Sequence, residues 1–233
     1  MGLKQSSIDP NARLLYALAE ELKLPFMQVA RNAELGQITK SIDHYKNIET
    51  TADATIKLLD SYVLSTQTLI QQVPLELSPM PVTSILYEVG QQLDRLTKLY
   101  NAKVDIVVEG KCGLVMAHKE ALFAAISSLA YTFICASQQQ TQVTLFARKE
   151  DNRIIAGVLS SQSTINKKSL ELARKLYGNA RQPYPSVTHN QGAGLYVADS
   201  LFGAMESDLY FSRLGKSRGF LAPFQLSRQL ALL

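Results

Sequence analysis

Two cysteines in 233 residues are too few for a disulfide framework, and Cys112 and Cys135 fit no metal-ligand spacing. Cys135 lies in an apolar helical run and reads as a small buried hydrophobe, so a reducing cytoplasm is the expected compartment. Histidine is equally sparse. His44, His118 and His189 have no carboxylate or cysteine partner at metal spacing, and no metal site is expected. No run approaches the roughly 18 apolar residues of a membrane span. The opening MGLKQSSIDPNARLL lacks a signal-peptide core; its Met-Gly and Ser6 match a myristoylation pattern too short to decide anything. No membrane partner is expected.

A basic stripe is also missing. The net charge of +4 is uneven: residues 1–72 carry −1 and residues 73–233 carry +5. Yet Lys167-Lys168, Arg174-Lys175 and Lys216/Arg218 are separate pairs without interleaved aromatics. A solvated surface explains them, and nucleic acid is not an expected partner.

What is present begins with two helices. From Asn11 to about Leu35, Leu15, Leu18, Leu22, Phe26, Val29 and Ala33 recur at steps of three and four. From about Ser41 to Gln72, Ala52, Ile56, Leu59, Val63, Thr66, Ile70 and Val73 alternate steps of four and three without a break. Gly36 and nearby polar residues provide the turn. A hairpin with a seam on each helix cannot bury both seams alone, so a dimeric four-helix bundle is the economical solution. The alternative is that the pair packs on its own C-terminal domain.

The segment Ser78-Pro79-Met80-Pro81 reads as a stiff hinge. It divides a hairpin domain over 1–77 from a second domain over 82–233. In that domain Val82, Ile85, Leu86, Val89, Leu93 and Leu96 mark a helix. Strands follow over 103–109 and 113–117, then a buried helix over 119–137. A strand pair over 141–159 turns at Asp151-Asn152, and helices are expected over 166–177 and 193–204. A closing hairpin spans Gly215-Lys216-Ser217. The fold class is α+β: a helical hairpin, then an α/β sandwich whose mixed sheet is covered on one face.

That order resembles the transmitter core of bacterial sensor histidine kinases, a histidine-bearing dimerising hairpin followed by an ATPase domain. The resemblance spans about residues 10–227 and implies motifs that can be checked in turn. Where the family has His-Glu-Leu-Arg-Thr-Pro, this chain has Glu20-Glu21-Leu22-Lys23-Leu24-Pro25. Glu20 stands at the phosphoacceptor position, and a carboxylate lacks the imidazole nitrogen that the chemistry needs. Where the family has Asn-Leu-Leu-x-Asn-Ala, a motif that supplies an asparagine to help hold Mg²⁺, both asparagine positions are lost here, to Ser128 and Thr132. Where it offers Asp-x-Gly-x-Gly for adenine, the aligned residues are Ser160, Gln162 and Thr164, whose bulk is expected to fill the pocket.

Gly192-Ala193-Gly194-Leu195 does match the family's Gly-x-Gly-Leu beneath the ATP lid, and Gly219 stands near the turn before the last strand. Glycines there can cradle a phosphate at a helix N-terminus, or simply let a loop enter a helix against the sheet. The structural role is the expected one. The loop 178–191 is short for a lid. His118 is expected to cap the helix that begins near Lys119, and His44 would be a displaced phosphoacceptor only at the far end of the bundle.

The resemblance therefore implies a degenerate kinase core: no enzyme, no ATP or Mg²⁺, and action by binding. The expected partners are a second copy of the chain and a response-regulator receiver domain or a partner histidine kinase. Docking is expected on the face around Glu20, Glu21, Lys23 and Pro25, with Ala52, Ile56, Leu59, Val63, Thr66 and Ile70 as the dimer seam. The rival readings are a phosphotransfer protein, a working kinase with diverged motifs, and a DNA-associated regulator.

Overall fold

The computed structural model describes residues 10–71, 74–136, 141–175 and 192–227. Helices α1 (Pro10–Thr39) and α2 (Ile42–Gln71) form the antiparallel hairpin. The turn falls at Lys40-Ser41, four residues beyond the expected Gly36. Lys40 takes φ +53° and donates its N–H to the Gly36 carbonyl at 3.0 Å, while the Ser41 hydroxyl accepts from the Asp43 amide at 3.3 Å. Gly36 stays inside α1, buried against His44 and Tyr45.

The remaining elements are β1 (Ser78–Pro81), α3 (Val82–Leu99), β2 (Ala102–Glu109), β3 (Leu114–Ala117), α4 (Lys119–Cys135), β4 (Thr141–Glu150) and β5 (Arg153–Ser160), followed by α5 (Lys167–Lys175), α6 (Gly192–Ala204), β6 (Tyr210–Leu214) and β7 (Ser217–Gln225). The main sheet runs β2-β4-β5-β7-β6, with β2 parallel to β4 and every other pair antiparallel. The stretch 78–81, expected as a stiff hinge, is a strand paired antiparallel with β3. Its prolines are tolerated because a two-stranded sheet leaves every strand at an edge.

Alternation along the strands sorts the residues. Val143, Leu145, Ala147, Ile154, Val158, Phe220 and Phe224 face the helices, and Phe133 of α4 and Phe202 of α6 stack on Phe220 and Phe224 at 6.1 and 5.9 Å. The opposite face carries only a small cluster of Phe146, Ile155, Leu159 and Leu221. Helix α3 buries one stripe, from Val82 through Leu96. Its Gly90 lets it close on β2, since a Cβ there would stand 2.9 Å from the Ile106 side chain.

Helix α4 is buried almost all round, from Ala121 to Ile134. A helix apolar on every side needs cover on every side. The sheet lies beneath it, α3 and α6 flank it, and α2 crosses above it. The hairpin is therefore docked on its own sheet domain, the alternative weighed from the sequence. Along α2, Thr51, Thr55, Leu58, Tyr62 and Ser65 form a buried stripe, and Leu58 and Tyr62 of it join the core shared with the sheet domain. Two of the stripe's hydroxyls are buried at small cost, because Thr51 and Thr55 bond back to the carbonyls of Asn47 and Thr51, at 2.8 and 2.7 Å, whereas the buried Ser65 hydroxyl has no partner among the described residues.

Candidate functional site

Helix α1 contributes one carboxylate that is 4% exposed, Glu21. Its Oε2 accepts the amide of Gly194 at 3.1 Å and also the Tyr62 hydroxyl. One carboxyl oxygen thus ties together α1, α2 and the first turn of α6. Burial pushes the Glu21 carboxyl up to about 7, against the two hydrogen bonds, which favour the anion. Burial likewise raises the Tyr62 phenol, and the nearby carboxylate raises it further.

The Gly194 seat is tight. A Cβ there would stand 2.4 Å from Thr132 Oγ1, 3.3 Å from the Ser128 carbonyl and 3.4 Å from Glu21 Oε1. Ser128, Thr132 and Gly194 are thus brought together with Glu21, and the Thr132 hydroxyl is held by the Ser128 carbonyl at 2.7 Å. Gly192 opens α6.

The other expected pocket residues lie elsewhere. Ser160 is buried at the end of β5, and its hydroxyl accepts the Gln162 amide at 3.4 Å. Gln162 and Thr164 are exposed, so they do not fill a pocket as expected. Between them Ser163 is buried and accepts the Ile165 amide, while Arg218 donates to the Ser163 carbonyl. Gly219 lies near the start of β7, opposite Leu159, three residues past the Gly215-Lys216 turn.

The docking face also divides. Lys23 is exposed, whereas Glu21 and Pro25 are buried against the rest of the protein and offer no surface in this arrangement. The Glu20 side chain, the Ile70 side chain, His189 and the expected lid at 178–191 lie outside the described residues. Along the expected seam, Ile56 and Val63 are 56% and 54% exposed, and Ala52, Leu59 and Thr66 are half-buried. His118 caps α4, accepting the Ala121 amide at 3.3 Å, and His44 Nδ1 lies 3.2 Å from Asn32 Oδ1 across the hairpin.

A second contact ties the hairpin down. The Tyr100 hydroxyl, just past α3, donates to Gln28 of α1 at 2.9 Å. Tyr100 lies close to Tyr131 and Cys135, and burial pushes the Cys135 thiol up to about 12. Beside this network an open cleft of about 790 Å³ separates α2 from α3 and α4. Leu58, Leu93 and Phe123 line it, with Ser127 and Ser128. None of Ser160, Gln162, Thr164, Gly192 or Gly194 borders it. Tyr62 and Arg218 are the site residues that sequence reasoning missed. Among the described residues no helix is long and apolar enough to cross a membrane, and no cluster could hold a metal ion.

No family model and no curated protein matches the sequence. Solved structures do match the fold. The Acinetobacter baumannii histidine kinase AdeS superposes with a TM-score of 0.57 at 12% identity, over 89% of this chain and 98% of that one. A bacterial phosphotransferase gives 0.53 at 10% identity, over 94% and 98%. Full-length ShkA, solved in complex with AMPPNP, gives 0.55 at 16% identity, over 94% of this chain and 47% of that one.

The chain therefore has a histidine-kinase-type fold, with N-terminal helices followed by an α/β sheet domain of the kinase ATPase type. One expectation is overturned here. The chain was expected not to be an enzyme, but the structures that share its fold are enzymes, histidine kinases and a phosphotransferase. Altered motif residues alone do not establish inactivity.

Proposed function

We propose that this chain is a two-component-type signalling protein that dimerises through its hairpin and docks a response-regulator receiver domain or a partner kinase there. The supporting observation is the apolar surface left open on the hairpin once its other side is docked. Leu15, Phe26, Met27 and Ile38 of α1 and Ile42, Ile56 and Val63 of α2 are each more than half exposed. Exposed apolar side chains on both helices of the hairpin support an interaction face there. A second copy of the same hairpin is the occupant that its heptad rhythm suits.

Light scattering at tens of micromolar should find a dimer. Val63→Glu and Ile56→Glu should each shift it to monomer, because burying an unpaired carboxylate costs at least about 2 kcal/mol. Both side chains are exposed within one copy, so the monomer's melting temperature should not fall. A monomeric wild type would remove this reading. For receiver docking, Lys23→Glu should weaken binding to a cognate receiver by roughly three- to tenfold in a titration at low salt.

We further propose that it works without bound nucleotide. The support is the Gly194 amide, the group that the resemblance would offer to a phosphate, which already donates to Glu21. Millimolar Mg-ATP should leave the melting temperature unchanged. A ligand at 100 times its dissociation constant would add about 2.7 kcal/mol, roughly 5–10 °C for a chain of this size. A rise of that size would overturn the proposal.

The likeness in fold to a bacterial phosphotransferase over nearly the whole chain supports a second reading, phosphoryl relay from or to a receiver. His44 is the described histidine on the hairpin, and it would have to be the acceptor. Acid-labile label passed from a phosphorylated receiver, and lost in His44→Ala, would support relay. Transfer that survives the substitution would remove His44 from it.

A further inference from the structure

Glu21 is a buried carboxyl at a junction of three helices, and among the described residues no cation pairs with it. The groups that face it are Tyr62 from α2, Tyr131 and Cys135 from α4, and the amide end of α6 at Gly194. The phenols and the thiol are neutral near pH 7, since burial raises all three. The remaining help for an anion is two hydrogen bonds and the positive end of one helix.

We propose that Glu21 is a latch between the hairpin and the sheet domain, holding the two docked while its carboxyl is protonated and letting them part when it ionises. This goes beyond the signalling role and does not depend on it. Docked, the carboxyl satisfies the Gly194 amide and the Tyr62 hydroxyl in a dry seat. Undocked, it meets water and behaves as an ordinary glutamic acid, so ionisation is costly on the docked side alone. The proton passes to solvent, the Gly194 hydrogen bond to Glu21 is released, and no other covalent bond changes.

The Gly194 amide reports on the latch directly, because its hydrogen-bond acceptor is Glu21 itself. Its exchange with deuterium, expressed as a protection factor so that the intrinsic pH dependence cancels, should be followed by NMR from pH 5.5 to 8.5 on the full chain. Protection should fall about tenfold per pH unit up to near pH 7 and then level. Glu21→Gln keeps an acceptor for both donors without a titrating group, and should give high protection with no slope. Tyr62→Phe removes one bond that favours the anion, so levelling should move above pH 7, a displacement that loss of packing alone would not produce. Glu21→Ala should show low protection at every pH. If wild-type protection is independent of pH, or if Glu21→Gln keeps the slope, the latch is refuted.

Discussion

Gly194→Val is expected to lower stability by about 3 kcal/mol, read as the midpoint shift in urea unfolding, whether or not nucleotide is added. Even the first added carbon would stand 2.4 Å from Thr132 Oγ1, far inside contact distance, and 3.3 Å from the Ser128 carbonyl. The hydroxyl cannot simply turn away, because it is bonded to that same carbonyl at 2.7 Å. Relief would require α6 to back away from α4, which unstacks Phe202 from Phe224 and lifts the amide from Glu21. Thr132→Ala removes the nearest clashing atom. Combined with Gly194→Ala it should recover part of the loss, with a coupling of about 1 kcal/mol in a double-mutant cycle. An unchanged midpoint in Gly194→Val would mean that the glycine has no packing role.

The sheet domain was legible in the sequence because its signals are local and strong. The strand pair around Asp151-Asn152, the stripe from Val82 to Leu96 and the apolar run of α4 each state their own period, and the observed elements fall within a few residues of those signals. The docked face of the hairpin was hidden. On α2 the buried stripe Thr51, Thr55, Leu58, Tyr62, Ser65 has the same rhythm as the expected seam Ala52, Ile56, Leu59, Val63, Thr66, displaced by one residue. Three of its five members are serine or threonine, and a hydrophobicity pattern passes over them. Helix α1 repeats the lesson. Its deepest described positions include Glu21 and Pro25, while Leu15 and Phe26, leaders of the expected apolar face, are 64% and 59% exposed.

The candidate site was half legible for a related reason. Gly-x-Gly at 192–194 marks a close approach, and Ser128 and Thr132 stand where the resemblance put them, so their meeting could be anticipated. Nothing local says that Glu21, 173 residues away in sequence, supplies the acceptor for the Gly194 amide. That contact exists because the hairpin docks on the sheet domain, a long-range event that no local pattern announces.

Lowering the pH from 8 to 5 is expected to stabilise the wild-type chain against urea relative to Glu21→Gln, contrary to the usual behaviour of a paired carboxylate. Glu21 titrates at about 7 when folded, against an ordinary value of 4.5. Between those two values the folded state keeps a proton that the unfolded state has released. Stability from this group is therefore complete below about pH 4.5, falls as pH rises toward 7, and is flat beyond. At 1.36 kcal/mol per pH unit the full swing is about 3 kcal/mol, a large share of a typical 5–15 kcal/mol total. Other carboxyls work in the opposite direction, so the quantity to measure is the difference between wild type and Glu21→Gln at each pH. That difference should favour wild type progressively as pH falls from 7 to 5, by about 1.4 kcal/mol per unit, and should not change between pH 7.5 and 8.5. Parallel curves for the two proteins would mean that the Glu21 carboxyl titrates as it does in water, and that burial at the α1–α6 junction does not set its charge.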